Sequence, residues 1–503
     1  MTVPAAYPIP WPAHAGAPNL EPLRAASVWS DELVTEAGLH TEPAEFVTVG
    51  GGLASFAVVD TLRICGLDAT RIRVVSPQRR PYENLSRLVR AGQISDDDQL
   101  RSDSGSRVDD IWGFPGYAVQ EAIHRPAIWP LWKVLTEPVV AEFYNPSPAQ
   151  VFRGLDREAG RIGWDSMLAA GQAELVRRRA GGGFFCLVHP ADHSPPYVLR
   201  TCHLHLGTGY PALGYVPGLT EYRLRHREFF NVVNAYEPHE HVYQQLCRRA
   251  GTVLVRGAGI TASRVLQRLI DDRDRSGQAV RILHLFRDPA GQSPGWRYQA
   301  FTFPKSAGSG QLREQLASMD GADRSAWIAA MSATTTARRR RWQRQLRRAW
   351  SRGFYREFGG EITAIEPSGD RQVRLLIADP AQEGPLRLNV DFLIDCTGMG
   401  LRLRDNPLLA DLIDSGGAAV NALGGLDVGP NFDVLGCGGE PGRLYASGVI
   451  ARGGYLAPVD SFGGFVYAAL LICDDLAARG VCRQLGPARS VAGWAKWLAR
   501  RAP

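Results

Sequence analysis

The chain has 503 residues, with 45% apolar and 21% charged residues and a net charge of +6. At roughly 100–200 residues per domain, that length predicts two to four domains with cores of their own, and the apolar fraction excludes a chain disordered throughout. A membrane partner is not expected either, because the longest strongly apolar run, Phe465 to Cys473, is less than half of the ~20 residues a spanning helix needs.

Residues 1–44 are rich in Pro and Ala without sustained periodicity. They read as an arm, either packed on a domain surface or disordered. Pro4, Pro8, Pro10 and Pro12 break up any apolar stretch there, and no cationic segment precedes them. No secretory leader is therefore expected, and the expected location is cytoplasmic. The eight cysteines (65, 186, 202, 247, 396, 437, 473 and 482) form no Cys-x-x-Cys pair. Reduced thiols are expected, with no disulfide framework and no metal.

The first folded unit opens with the β-branched run Phe46-Val-Thr-Val49, which leads into Gly50, Gly51, Gly52, Leu53, Ala54 and Ser55. An apolar helical pattern follows through Phe56, Val59, Leu62 and Ile64, then a second β-rich run, Ile72-Arg-Val-Val75. Strand, glycine turn, helix and strand in this order are the βαβ unit of a dinucleotide site. Gly50 allows a tight turn, Gly52 lets the backbone approach a pyrophosphate, and the helix N-terminus offers free N–H groups and a positive dipole end. Two positions depart from the pattern. The third glycine is Ser55, and the acid expected after the second strand, to hold a ribose hydroxyl, is Ser76. Arg79 and Arg80 then read as a solvated loop or as a contact to nucleotide phosphate.

A second unit follows about two hundred residues later. Thr252-Val-Leu-Val-Arg256 precedes Gly257, Ala258, Gly259, Ile260, Thr261 and Ala262. A helix then carries Val265, Leu266, Leu269 and Ile270, and a strand runs over Val280-Arg-Ile-Leu-His-Leu-Phe286. Arg287 stands where a 2′-phosphate of NADP would be held, or is an ordinary surface arginine.

With both units in place, the sequence resembles the flavoproteins with two dinucleotide-binding domains: flavin-containing, Baeyer–Villiger and N-hydroxylating monooxygenases and their reductase relatives. Further landmarks extend the resemblance. His203-Leu-His-Leu-Gly-Thr-Gly-Tyr-Pro211 and Asp391-Phe-Leu-Ile-Asp-Cys-Thr-Gly398 look like the two strands that end in Ala-Thr-Gly-like turns. Leu444-Tyr-Ala-Ser-Gly-Val449 looks like the strand that meets the flavin ribityl chain, with Gly448-Val449 in place of Gly-Asp. The missing acid contact is lost or moved to Asp460. The resemblance implies an α/β fold with two Rossmann-like dinucleotide-binding domains, the NAD(P)H domain inserted in the FAD domain. Expected bounds are 1–44 for the arm, 45–230 and 361–482 for the two parts of the FAD domain, 231–360 for the insertion and 483–503 for a C-terminal docking helix.

The implied cofactors are FAD and NADPH, and the implied activity is oxygenation of a small molecule. Gly50 to Ser55, Ser76, Gly448, Asp460, Phe462, Gly463 and Gly464 would hold FAD. Gly257, Gly259, Ile260, Thr261 and Arg287 would hold NADPH. Tyr455, Asp460 and Ser461 are the catalytic candidates, placed near the flavin by topology alone. The helix beginning near Phe465 would aim its N-terminus at the flavin ring. An FAD dehydrogenase or oxidase without oxygen insertion, and a nucleotide-binding docking protein without catalysis, are the alternatives. A disulfide reductase is excluded, because only Cys65 lies on the helix after the first turn. His239 and Tyr243 partly match the family's FxGxxxHxxxW string, with Val233 and Ala235 for its Phe and Gly; the alternative is a linker histidine exposed to water. The arginine run 338–352 reads as a solvated face, or as a surface steering NADPH or a phosphorylated or carrier-bound substrate. No nucleic-acid partner is expected, since no nucleic-acid fold accompanies the run.

Overall fold

A computed structural model describes residues 18–96, 98, 100, 114–140, 146–215, 218–257, 259–286, 310–331, 340–369, 371–378, 384–457 and 459–503. The chain begins with β1 (Val28–Trp29), β2 (His40–Val49), β3 (Ile72–Ser76), β4 (Leu168–Arg179), β5 (Phe184–Pro190) and β6 (Tyr197–Leu206). It leaves this first body through β7 (Ala212–Leu213). A second body follows with β8 (Val232–Asn234), β9 (Gly251–Arg256), β10 (Val280–Phe286) and β11 (Tyr355–Gly359). A meander of β12 (Glu361–Ser368), β13 (Gln372–Ala378) and β14 (Leu386–Val390) precedes β15 (Phe392–Asp395). The chain returns through β16 (Met399–Gly400) to β17 (Arg443–Ala446).

The first sheet runs β1-β4-β3-β2-β6-β17 in parallel, with β5 antiparallel to β4 and β6. The chain winds outward from β2 in both directions, so the C-terminal end of β2 is a topological switch point, where open α/β sheets place ligands. The last four residues of β2 are buried because the helix Leu53–Ile64 covers that end. That helix is in turn buried along nearly its whole length against the sheet and against the helix Phe462–Ala478.

The second sheet runs β11-β10-β9-β15-β8, again parallel. One face packs on the helix Ile260–Ser276 through Val265, Leu266, Leu269 and Ile270. The other face is covered by the meander through Ile362, Val373, Leu375 and Ile377.

Of the two readings of the arm, residues 18–39 take the packed one: they form two short helices and the edge strand β1, and bury Leu23, Trp29 and Val34 against Phe185 and Leu187. Two expected boundaries are corrected. The first strand begins at His40, ahead of the apolar run, because pairing with β6 extends over polar residues too. Residues 361–395, expected in the FAD domain, belong to the second body. Their strands β12 to β14 cover its sheet, and β15 pairs with β9 and β8. The crossing points between bodies are β7 and β16, which pair with each other in a two-stranded ribbon.

Candidate functional site

The first turn is shaped by contact at two glycines and left open at the third. Gly50 has φ +97, and a Cβ there would collide with the carbonyl oxygen of Gly207. A Cβ on Gly51 would lie 2.5 Å from the hydroxyl of Ser76. At Gly52, which precedes the helix Leu53–Ile64, nothing lies within 4 Å of a Cβ, and no side chain caps the helix. Its first N–H groups are thus left without a side-chain acceptor, an arrangement that suits an anion.

Ser55, at the third glycine position, has a structural reason. It is buried and accepts a hydrogen bond from the Thr48 hydroxyl at 3.0 Å. Thr48 lies 2.8 Å from Nδ1 of His205, whose Nε2 lies 2.8 Å from the Ser447 hydroxyl. With Thr48 donating to Ser55, the ring proton sits on Nδ1 and Nε2 accepts from Ser447. Burial pushes the His205 pKa down to about 3, so the ring is neutral. This buried chain ties the ends of β2, β6 and β17 directly beneath the turn. Ser447 is followed by Gly448, whose φ is +74 and whose added Cβ would press on Ala54 at 3.2 Å.

The turn after β6 adds an orphan group: the Thr208 hydroxyl oxygen is buried and has no hydrogen-bond partner among the described residues. The open cradle at Gly52, the uncapped helix and this hydroxyl fit a bound dinucleotide. The end of β3 does not supply the usual ribose contact. Ser76 is buried and accepts from the Gln78 N–H at 3.0 Å. The nearby Glu83 carboxylate is engaged by the N–H groups of Arg79 and Arg80.

The second turn repeats the device. Gly257 has φ +123, and its Cβ would lie 2.8 Å from the carbonyl oxygen of Cys396. Gly259 precedes the helix Ile260–Ser276, again without a side-chain cap. Thr261 is buried with its hydroxyl 2.7 Å from that of Tyr236. The two bodies meet near here: Arg264 pairs with Asp98, and Arg268 donates to Gln93 at 3.0 Å. Arg287 lies outside the described residues, as do Ala258 and the first arginines of the basic run.

The catalytic candidates share the loop 452–461. Asp460 is exposed and accepts from the Tyr210 hydroxyl at 3.1 Å. Burial, with Asp460 beside it, pushes the Tyr210 hydroxyl well above its ordinary pKa. Ser461 precedes the helix Phe462–Ala478 and accepts the Gly464 N–H at 3.0 Å, so its hydroxyl acts as a helix cap. Phe462 and Gly464 are buried and Gly463 half-buried at the start of that helix. The ring of Tyr455 lies under a residue that the sequence did not signal: Arg324, on the helix Gly321–Met331, with Cζ 4.0 Å from the ring centroid.

Elsewhere the structure revises the motif readings. His239 is buried, not a water-exposed linker: Nδ1 lies 2.8 Å from the Glu237 carbonyl and Nε2 2.9 Å from the Tyr243 hydroxyl. Arg344, Arg347 and Arg348 are exposed, and Arg348 pairs with Asp274. Cys65, Cys473 and Cys482, scattered in sequence, come together where the helices Leu53–Ile64 and Phe462–Ala478 end or pack, and all are free thiols. No cluster suited to a metal occurs among the described residues, and no described helix is long and apolar enough to cross a membrane.

No protein-family model and no curated protein matches the chain. Solved structures do share its architecture. The cadaverine monooxygenase of desferrioxamine biosynthesis from Erwinia amylovora, bound to FAD, is 13% identical with a TM-score of 0.67, over 89% of this chain and 98% of that one. The ornithine N-hydroxylase of Kutzneria sp. 744, with reduced FAD, NADP+ and L-ornithine, is 13% identical with a TM-score of 0.62, over 87% and 100%. The L-lysine 6-monooxygenase of Pseudomonas syringae is 16% identical with a TM-score of 0.59, over 86% and 99%. The chain shares the fold of these three monooxygenases.

Proposed function

We propose that this chain, which has the fold of the N-hydroxylating flavoproteins, is an FAD-dependent, NADPH-using monooxygenase that acts on a small amine. The observation that carries the proposal is the first turn: closed by protein at Gly50 and Gly51, open at Gly52, with an uncapped helix behind it. Packing explains the first two glycines but not the open space at Gly52, which suits a pyrophosphate. FAD would be held by residues 50–55, Thr208 and Gly448, with the helix that follows Ser461 beside its ring. NADPH would be held by Gly257, Gly259 and Thr261, with Arg287 on the 2′-phosphate.

A bound flavin would supply the hydride-accepting and oxygen-activating chemistry, and the chain would supply position and exclusion of water. Tyr455 and Asp460 line the loop where the substrate would sit, and the Tyr210 hydroxyl orients the Asp460 carboxylate. The test is the absorbance spectrum and extractable cofactor of the purified protein, followed by NADPH and oxygen consumption with a panel of amines. Bound FAD and a hydroxylated amine matching the oxygen consumed are expected. Hydrogen peroxide as the sole oxygen product would make the chain an oxidase, and protein with no affinity for FAD would overturn the proposal.

A further inference from the structure

Arg324 differs from four other buried arginines in lacking a carboxylate partner among the described residues, whereas its unpartnered Nε is a feature it shares with Arg223. Arg177 pairs with Asp411, Arg161 with Glu158, Arg223 with Glu237 and Arg264 with Asp98. Arg324 is 6% exposed, its Nε is buried without a hydrogen-bond partner, and no carboxylate pairs with it among the described residues. The helix that carries it, Gly321–Met331, docks with the helix Gly310–Ser318 on the loop 452–461 through Leu316, Ile328 and Ala457. The face of Tyr455 attracts the cation from one side. A ring face does not replace a counter-ion for a desolvated guanidinium, whose fork of donors matches a two-oxygen anion.

We propose that Arg324, seated on Tyr455, forms an oxyanion subsite between the inserted body and the first body, and takes a carboxylate or phosphate of the ligand that enters the cleft. This rests on the reading above that the substrate would sit at the loop 452–461. The helix Gly321–Met331, from the segment between β10 and β11, contributes the charge, and the loop 452–461 the aromatic platform. A substrate amine with an acidic group would be oriented by it, its amine end directed away from the guanidinium. Without that group, the same amine would bind in no fixed direction.

The experiment is calorimetric titration of unmodified, Arg324→Gln and Arg324→Lys protein, without turnover, using matched pairs that differ in one oxyanion. The pairs are L-lysine with cadaverine, L-ornithine with putrescine, and NADP+ with NAD+. If the substrate carries the anion, an amino acid binds at least tenfold more tightly than its decarboxylated amine. Arg324→Gln then erases that ratio, Arg324→Lys keeps part of it, and the NADP+ to NAD+ ratio is unchanged. If the nucleotide carries the anion, Arg324→Gln lowers the NADP+ to NAD+ ratio instead, and the subsite stands with that source. Ratios that Arg324→Gln leaves untouched overturn the proposal. So does a variant of lowered Tm that weakens both members of every pair alike, because the guanidinium then only cements the helix to the loop. Should Arg324→Gln fail to fold, Arg324→Lys, which keeps the charge but not the fork, decides by the same ratios. Flavin content is measured separately: a flavin-free protein sinks the functional reading, while the titrations still report on Arg324.

Discussion

At Gly50, φ is +97 and the carbonyl of Gly207 occupies the space of any side chain; at Gly52 the backbone is ordinary and the space is empty. The two glycines therefore respond differently to substitution. Gly50→Ala should destabilise the protein by at least about 1–2 kcal/mol, the cost of a left-handed backbone for an L-residue, before any collision is counted. Gly52→Val should leave the Tm of the flavin-free protein nearly unchanged and abolish flavin binding, since only a ligand meets the added methyls. Full flavin content in Gly52→Val would show that the turn holds no pyrophosphate. His205 offers a pH test. Its folded pKa of about 3 lies below the ordinary 6.5, so the unfolded chain binds the extra proton in between. The stability due to the neutral ring is complete above about pH 6.5 and is lost as the pH falls toward 3, at about 1.3 kcal/mol per pH unit near pH 5. Denaturant unfolding of His205→Gln should show a slope shallower by that amount. Buried His203 and His284, each pushed down to about 4, add slopes that the variant retains. Equal slopes in both proteins would mean that His205 is not held neutral.

Among the elements, the helix Phe462–Ala478 carries the sharpest contrast between the roles open to one residue. Its N-cap, Ser461, bonds to the Gly464 N–H, so one of the free donors at that helix end is already satisfied within the chain. The dipole end remains for a flavin ring, but fewer N–H groups remain to donate to it. Ser461→Ala should cost about 1 kcal/mol, as the loss of an N-cap does, with flavin content retained; Ser461→Asn should restore the loss. A large fall in NADPH oxidation at unchanged Tm would instead mark the hydroxyl as catalytic. The helices Leu53–Ile64 and Ile260–Ser276 contrast with this one. Each begins after a glycine with no cap, a local weakness that a bound phosphate would remove.

Across the whole molecule, the inserted body is held at three places: the β7–β16 ribbon, the contacts of Arg264 and Arg268 with Asp98 and Gln93, and the docking of Leu316 and Ile328 on Ala457. The third matters most for the site, because it brings Arg324 over Tyr455. Ile328→Ala removes a fully buried side chain and should cost about 2–4 kcal/mol. The loosening should spread across the interface, so hydrogen exchange should quicken both in the helix Gly321–Met331 and around Ala457. Faster exchange in the helix alone would mean that the loop does not depend on it.

Much of this architecture was legible in the amino-acid order, because it rests on local sterics. A β-branched run that ends in glycines at positive φ, followed by an apolar helical period, leaves few alternatives to a strand, a tight turn and a helix. Gly50 and Gly257 carry those angles where the order places them. The sequence by itself thus determined the two glycine turns, the helices behind them and the parallel class of the sheets. What it could not determine is non-local. Whether β15 joins the first sheet or the second depends on which edge is open when it arrives, and its three apolar residues, Phe392, Leu393 and Ile394, suit either. The burial of His239, the meeting of Cys65, Cys473 and Cys482, and the use of Ser461 as a cap each depend on neighbours distant in sequence or on a turn not specified by residue type. Arg324 is the extreme case: one arginine in a chain rich in them, distinguished by its seat on Tyr455 and by the absence of a carboxylate partner among the described residues. Periodicity and turn chemistry are properties of a short segment, whereas desolvation and pairing are properties of what surrounds it, and these only the tertiary structure decides.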